Sequence, residues 1–140
     1  MEELYYESHG FRLSYDAEKR LGKAEWRGFL SSAEFRENSM LCMELAYKYS
    51  TIRWLADQKT MRAIRQDDLR WASIEIMPKI LASPIRRMAI IVSVDIFNNM
   101  AMEQLTKRAG NLGDLVVKEF EDEATAMTWL LQPIPAATQA

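Results

Sequence analysis

Alternation of apolar and polar positions is clearest in FRLSYD, where Phe11, Leu13 and Tyr15 interleave with Arg12, Ser14 and Asp16. That period of two marks a strand with one wet face. LYYES before it and KAEWRGFL after it, joined by SHG and AEKRLG, extend the pattern to an antiparallel meander. The period then changes. SSAE at Ser31 to Glu34 has the spacing of a capping box, and the helix it opens carries Phe35, Leu41, Cys42, Leu45, Ala46 and Tyr49 on one stripe. In TIRWLAD the alternation puts Ile52, Trp54 and Ala56 on one face and Arg53, Leu55 and Asp57 on the other. QKTMRAIRQ reads as a polar loop holding Lys59 and Thr60, after which Asp67 or Asp68 is placed to cap a helix. Trp54 is expected to pack inward, and Asp57, at the strand's end, to accept from amides of that loop.

Leu69, Ala72, Ile76 and Ile80 recur at helical spacing, and Pro78, lacking an amide donor, predicts a kink or break at IMPK. MAIIVSV is a nearly unbroken β-branched run, as in a strand buried on both faces. Asp95 caps a helix with Phe97, Met100, Ala101 and Leu105 on its apolar side, ending at Gly110. DLVVKEF is the last strand. Asp122 caps a final helix bearing Ala124, Met127, Leu130 and Leu131, stopped by Pro133. The order β-β-β-α-β-α-β-α-β-α puts an α/β domain over residues 1–132, with PIPAATQA at 133–140 as a frayed tail. Alternation in the second half requires crossovers and so parallel strands, giving a mixed central sheet of about six strands, an N-terminal antiparallel meander followed by βαβ units.

Composition narrows the function classes. The chain has 140 residues, 49% hydrophobic and 27% charged, as expected for one globular domain. A net charge of −2 with scattered basic residues excludes electrostatic capture of nucleic acid. The run from Met88 to Val94 is far shorter than the roughly 20 residues of a membrane span, so no integral membrane segment is expected. The opening MEELYYESHG lacks the basic and apolar regions of a secretory signal, and the expected compartment is the cytoplasm. Cys42, the one cysteine, cannot form an internal disulfide or a cysteine-based zinc cage and reads as a core residue.

Candidate chemistry is sparse. Neither GxGxxG nor GxxxxGK[ST] occurs, and the one histidine, His9, falls in a hairpin turn away from any nucleophile–base pattern. The acidic groups DD and EFEDE are accounted for by helix capping. No catalytic set, metal site or cofactor is expected. Among the four tryptophans, Trp54 and Trp71 flank the polar segment, and the pair would line a crevice if both reached the C-terminal ends of the parallel strands.

At WRGFLSSAEFRE, IRWLADQKTMRAIRQDDLRW and MAIIVSVDIF the chain resembles the SpoIIAA-like branch of the STAS-fold superfamily, small bacterial STAS/SEC14-like domains. The most specific element is WLAD followed by DD and Trp71. The resemblance covers about residues 10 to 131 and implies about four helices packed largely on one side of the sheet. It further implies a non-enzymatic regulatory or protein-interaction role. Anti-sigma-factor antagonists of the superfamily carry a phosphorylatable Ser, usually before Gly, at the start of the helix after this strand; here Gln66, Asp67, Asp68 and Leu69 stand there. The resemblance therefore carries no kinase switch to this chain.

The leading expectation is a module docking an unidentified protein partner through the segment after residues 51–57, with Trp54, Asp57, Lys59, Thr60, Asp67, Asp68 and Trp71 as candidate partner- or ligand-binding residues. The alternative is a carrier of an apolar small molecule or acyl chain, with a pocket near Trp54 and Trp71. A homodimer through the strand edge at LYYES is a further expectation.

Overall fold

The computed structural model describes residues 1–135; the end of the expected frayed tail, residues 136–140, lies outside the described residues. The chain folds as β1 (Glu2–Ser8), β2 (Phe11–Asp16), β3 (Leu21–Gly28), α1 (Ser32–Lys48), β4 (Arg53–Met61), α2 (Gln66–Glu75), α3 (Met77–Ala82), β5 (Arg87–Ile91), α4 (Ile96–Ala109), β6 (Val116–Phe120) and α5 (Glu123–Leu130). One six-stranded sheet runs β1-β2-β3-β4-β5-β6. Its first three strands are antiparallel and β3 to β6 are parallel. The expected α/β architecture with a mixed six-stranded sheet is present.

This strictly sequential order dictates where the helices go. Each crossover steps one strand in the same direction, and crossovers share a right hand, so each must land on the same face. Accordingly α1 meets β2 and β3, and α2 meets α1, α3 and α4, while α5, which follows the last strand, folds back across β4, β5 and β6. Two cores result. Phe11, Leu13, Trp26, Phe35, Leu45 and Trp54 belong to the larger one, and Leu21, Leu55, Ala89, Ile91, Ala126 and Leu130 form the smaller one under α5. β5 is therefore covered on both sides, as its β-branched run requires. The expected wet face of the meander is wet only in part: Arg12 pairs there with Glu7 and Glu25, and Arg27 with Glu25, but Ser14 and Asp16 are buried.

Several local expectations are met. Ser31 and Glu34 form the capping box on α1. Asp95 accepts from the Phe97 amide and Asp122 from the Thr125 amide at the starts of α4 and α5. The helix broken at IMPK becomes α2 and α3, with Pro78 in the first turn of α3 where a missing amide costs nothing. Trp54 packs into the larger core, and its indole lies over Gly22, where a Cβ would collide with the ring.

Other expectations are corrected. QKTM is strand, not loop: β4 continues through Met61 because a bulge absorbs one extra residue, Trp26 of β3 facing both Gln58 and Lys59 between the Glu25–Asp57 and Arg27–Thr60 pairs. Lys59 and Thr60 thus sit on an exposed strand end. Neither Asp67 nor Asp68 caps α2, whose N-cap is Arg65 with no side-chain hydrogen bond. On α4 the inward residues are Asn98 and Ala101, while Phe97 and Met100 face outward. On α5 Ala126 and Leu130 point in, and Ala124 and Leu131 are exposed. β5 ends at Ile91, and Val94, expected in the buried run, is 74% exposed. The C-terminal carbonyls of Gln132 and Pro133 accept from Arg87.

Candidate functional site

The expected site residues fall in three places. Trp54 is buried in the wall of the larger core. Asp57, Lys59 and Thr60 stand at the bulge of β4, where Asp57 Oδ1 accepts from the Lys59 amide at 3.1 Å. The bulge leaves an amide outside the ladder, and the carboxylate satisfies it. Asp57 therefore does accept an amide of the QKTM segment, although from within the strand.

Asp68 and Trp71 belong to a seam between α1 and α2. Asp68 is buried and accepts from Ser32 Oγ at 2.9 Å and from Arg36 Nε at 3.1 Å. The Arg36 guanidinium then lies 5.4 Å from the centre of the Trp71 ring, which meets Phe35 edge-on. Asp67, beside them in the first turn of α2, is exposed. This seam ties the starts of two helices together. Trp54 and Trp71 do not share a crevice, because Trp54 enters the sheet-side core near the beginning of β4 and Trp71 borders an open groove with Tyr6 and Met40.

Two further features lie around these residues. At the C-terminal ends of the parallel strands, Gly28 takes a positive φ of 65° and turns the chain outward, leaving Phe29 75% exposed. The Arg62 amide donates to the Gly28 carbonyl, its guanidinium covers the Phe29 ring, and its Nε lies 3.6 Å from Asp95. Asp95 also accepts from the Ala63 amide, and the Val94 amide donates to the Lys59 carbonyl. Asn99 clasps Ser93 through both of its backbone groups, at 2.8 and 2.9 Å. This network fixes the turn before α4 so that Val94, Ile96 and Phe97 all face outward. Single exposed apolar residues are ordinary, but Phe29, Val94, Ile96 and Phe97 on adjoining turns form an apolar rim beside Lys59 and Arg62.

The second feature lies between the layers. A cavity of about 110 Å³ lies between the sheet and the helices on its larger core, walled by Trp26, Trp54 and Phe35 and by methionines of several elements. Gln58 and Thr106 supply polar groups to it. Cys42 is also in this wall, and burial pushes its thiol well above the ordinary range, so it is held neutral. Among the described residues no cluster of histidine, cysteine and carboxylates suited to a metal occurs, and no helix is long and apolar enough to cross a membrane.

The rim was hidden in the sequence by its own spacing. Phe97 reads as the start of an apolar stripe, and Val94 stands before the capping Asp95 where it would normally staple onto the fourth helical residue, but that residue is the polar Asn99. That pattern, apolar residues on both sides of a cap in SVDIF, was the available signal.

No curated protein and no solved structure matches the chain. The SpoIIAA-like family model matches residues 21–131, from the first residue of β3 to just past α5. It therefore takes in the whole parallel half of the sheet, the smaller core, most of the larger one and the rim, and the chain belongs to the SpoIIAA-like family.

Proposed function

We propose that this STAS-type regulatory module works without catalysis, by docking a partner protein on the rim formed by Phe29, Val94, Ile96 and Phe97. The observation that carries the reading is the rigid outward presentation of these side chains by Asp95, Arg62 and the Ser93–Asn99 clasp. A surface held in one conformation loses little entropy when it is covered. Lys59 and Arg62 border the rim, so the matching surface on the partner is apolar with flanking carboxylates. The bulge residues Asp57, Lys59 and Thr60 contribute its polar edge, while Asp68 and Trp71 shape the scaffold from the seam behind it.

An acyl-chain carrier is less well supported. The cavity of about 110 Å³ is on the scale of a single ring and well short of an extended acyl chain.

Affinity capture from the native cell extract tests the docking reading, using the parent protein and a Val94→Asp/Phe97→Asp variant. Both positions are exposed, so the variant is expected to fold and to keep its melting temperature. A protein retained by the parent and lost from the variant supports the rim. Identical retained sets from the two baits would rule it out.

A further inference from the structure

The cavity between the sheet and α4 differs from an ordinary packing defect in the polar group it exposes. Gln58 is 6% exposed, and its amide reaches the space between the sheet and α4. Its Oε1 accepts from Asn98 Nδ2 at 3.0 Å. Among the described residues its Nε2, with two hydrogens to donate, meets only the thioether of Met102, at 3.1 Å. A thioether sulfur is a weak acceptor, so most of the donor capacity of this buried amide is unspent. Behind it, Asn98 is fully buried and its Oδ1 has no partner among the described residues. A buried amide left in this condition is destabilising, and an apolar residue would fill the position more cheaply. Ser39 and Thr106, also in the wall, donate their hydroxyls to the Phe35 and Met102 carbonyls, and among the described residues no Lys, Arg, His, Asp or Glu lines it.

We infer that the cavity is a binding site for a small neutral ligand of one aromatic ring bearing a hydroxyl, with the ligand oxygen accepting from Gln58 Nε2. Size sets the ring: roughly 150 Å³ of apolar space suffices for benzene, and a cavity of about 110 Å³ walled by flexible methionines can adjust to a single ring. It has no room for an extended chain. Neutrality follows from the wall, because a carboxylate taken in without a cation would lose its hydration uncompensated. The hydroxyl follows from Gln58. In a wholly apolar cavity a hydroxyl is a penalty, and benzene would bind better than phenol. With a waiting amide donor the order reverses. The site is separate from the rim, so either can fail without the other.

Methionine methyl groups report on the site directly. Met43, Met61, Met77, Met88 and Met102 line the cavity, and Met1 and Met40 do not. The native protein carrying ¹³C-methyl methionine is titrated with phenol, with benzene and with decanoate. The expected result is saturable shifts of the cavity methyls with phenol, unmoved Met1 and Met40, and binding of phenol about three- to tenfold tighter than benzene, the range for one net hydrogen bond. Gln58→Leu should abolish that preference while leaving benzene bound. Benzene binding as well as phenol to the native protein would overturn the proposal, and this comparison stands even if the variant does not fold. Shifts that spread unsaturably to Met1 and Met40, no shifts at all, or decanoate displacing phenol from the cavity methyls would overturn it equally.

Discussion

Gly22 and Trp54 show how one residue pair organises the larger core. They are register partners across β3 and β4, and the indole lies where any side chain at 22 would project. Gly22→Ala should force the ring out of its position and lower stability by about 1 to 3 kcal/mol, the usual cost of overpacking, as read by urea denaturation. Trp54's inward direction was legible because Ile52, Trp54 and Ala56 alternate with Arg53. That arginine found its partners in the Leu130 and Lys19 carbonyls, both at 2.6 Å, which no local pattern reveals. Asp68 is the opposite case. DD before an apolar period reads as a cap, yet Asp68 turns inward to Ser32 and Arg36, contacts some thirty residues away in sequence. Asp68→Ala should destabilise by about 1 to 3 kcal/mol, less than breaking a fully buried pair because the Arg36 side chain is 40% exposed and can rehydrate. An unchanged unfolding midpoint would mean that the seam contributes nothing to stability.

Among the elements, the starts of the helices opened by side-chain caps were read correctly and the strand lengthened by a bulge was not. A cap is a local bond between residues two or three apart, whereas the end of β4 is set by pairing with β3 across a register shift. Gln58, Lys59 and Thr60 carry no apolar alternation, so nothing in the segment itself marks it as strand. The caps also give α1 and α5 a pH dependence of known sign. The Ser31 amide lowers the pKa of Glu34, and the Thr125 amide lowers that of Asp122. In both cases the folded state holds the charged form to lower pH than the unfolded chain. Their stabilisation is therefore complete above the unfolded value of about 4 and disappears as pH falls through the folded value. Asp122→Asn should melt earlier than the parent at pH 7, and the gap should close progressively below about pH 4. A gap that persists undiminished at pH 2 would show that the charge on Asp122 is not what stabilises α5.

For the whole molecule, the sequence order of elements already implied which face the helices occupy, because steps in one direction with one handedness have a single outcome. What it could not convey was the rotation of α4 about its axis, which hides Asn98 and exposes Phe97 and so creates both the polar wall of the cavity and the apolar rim. The sheet also ends in β1, an edge with a bulge near Tyr5 and with Glu2, Glu3 and Glu7 along it. A second copy pairing there would bring like charges together, so self-association by this edge should strengthen when salt screens them. Light scattering at two concentrations and two ionic strengths checks this, and a mass that stays monomeric throughout would exclude the edge as a dimer contact. Docking at the rim meets its most direct test in site-specific photo-crosslinking within cells of the native host. A photoreactive residue at Phe97 should give a crosslinked adduct of discrete mass with another protein, and one at Ile74, equally exposed on α2 but away from the rim, should not. Adducts of the same pattern at both positions, or none at Phe97, would contradict it.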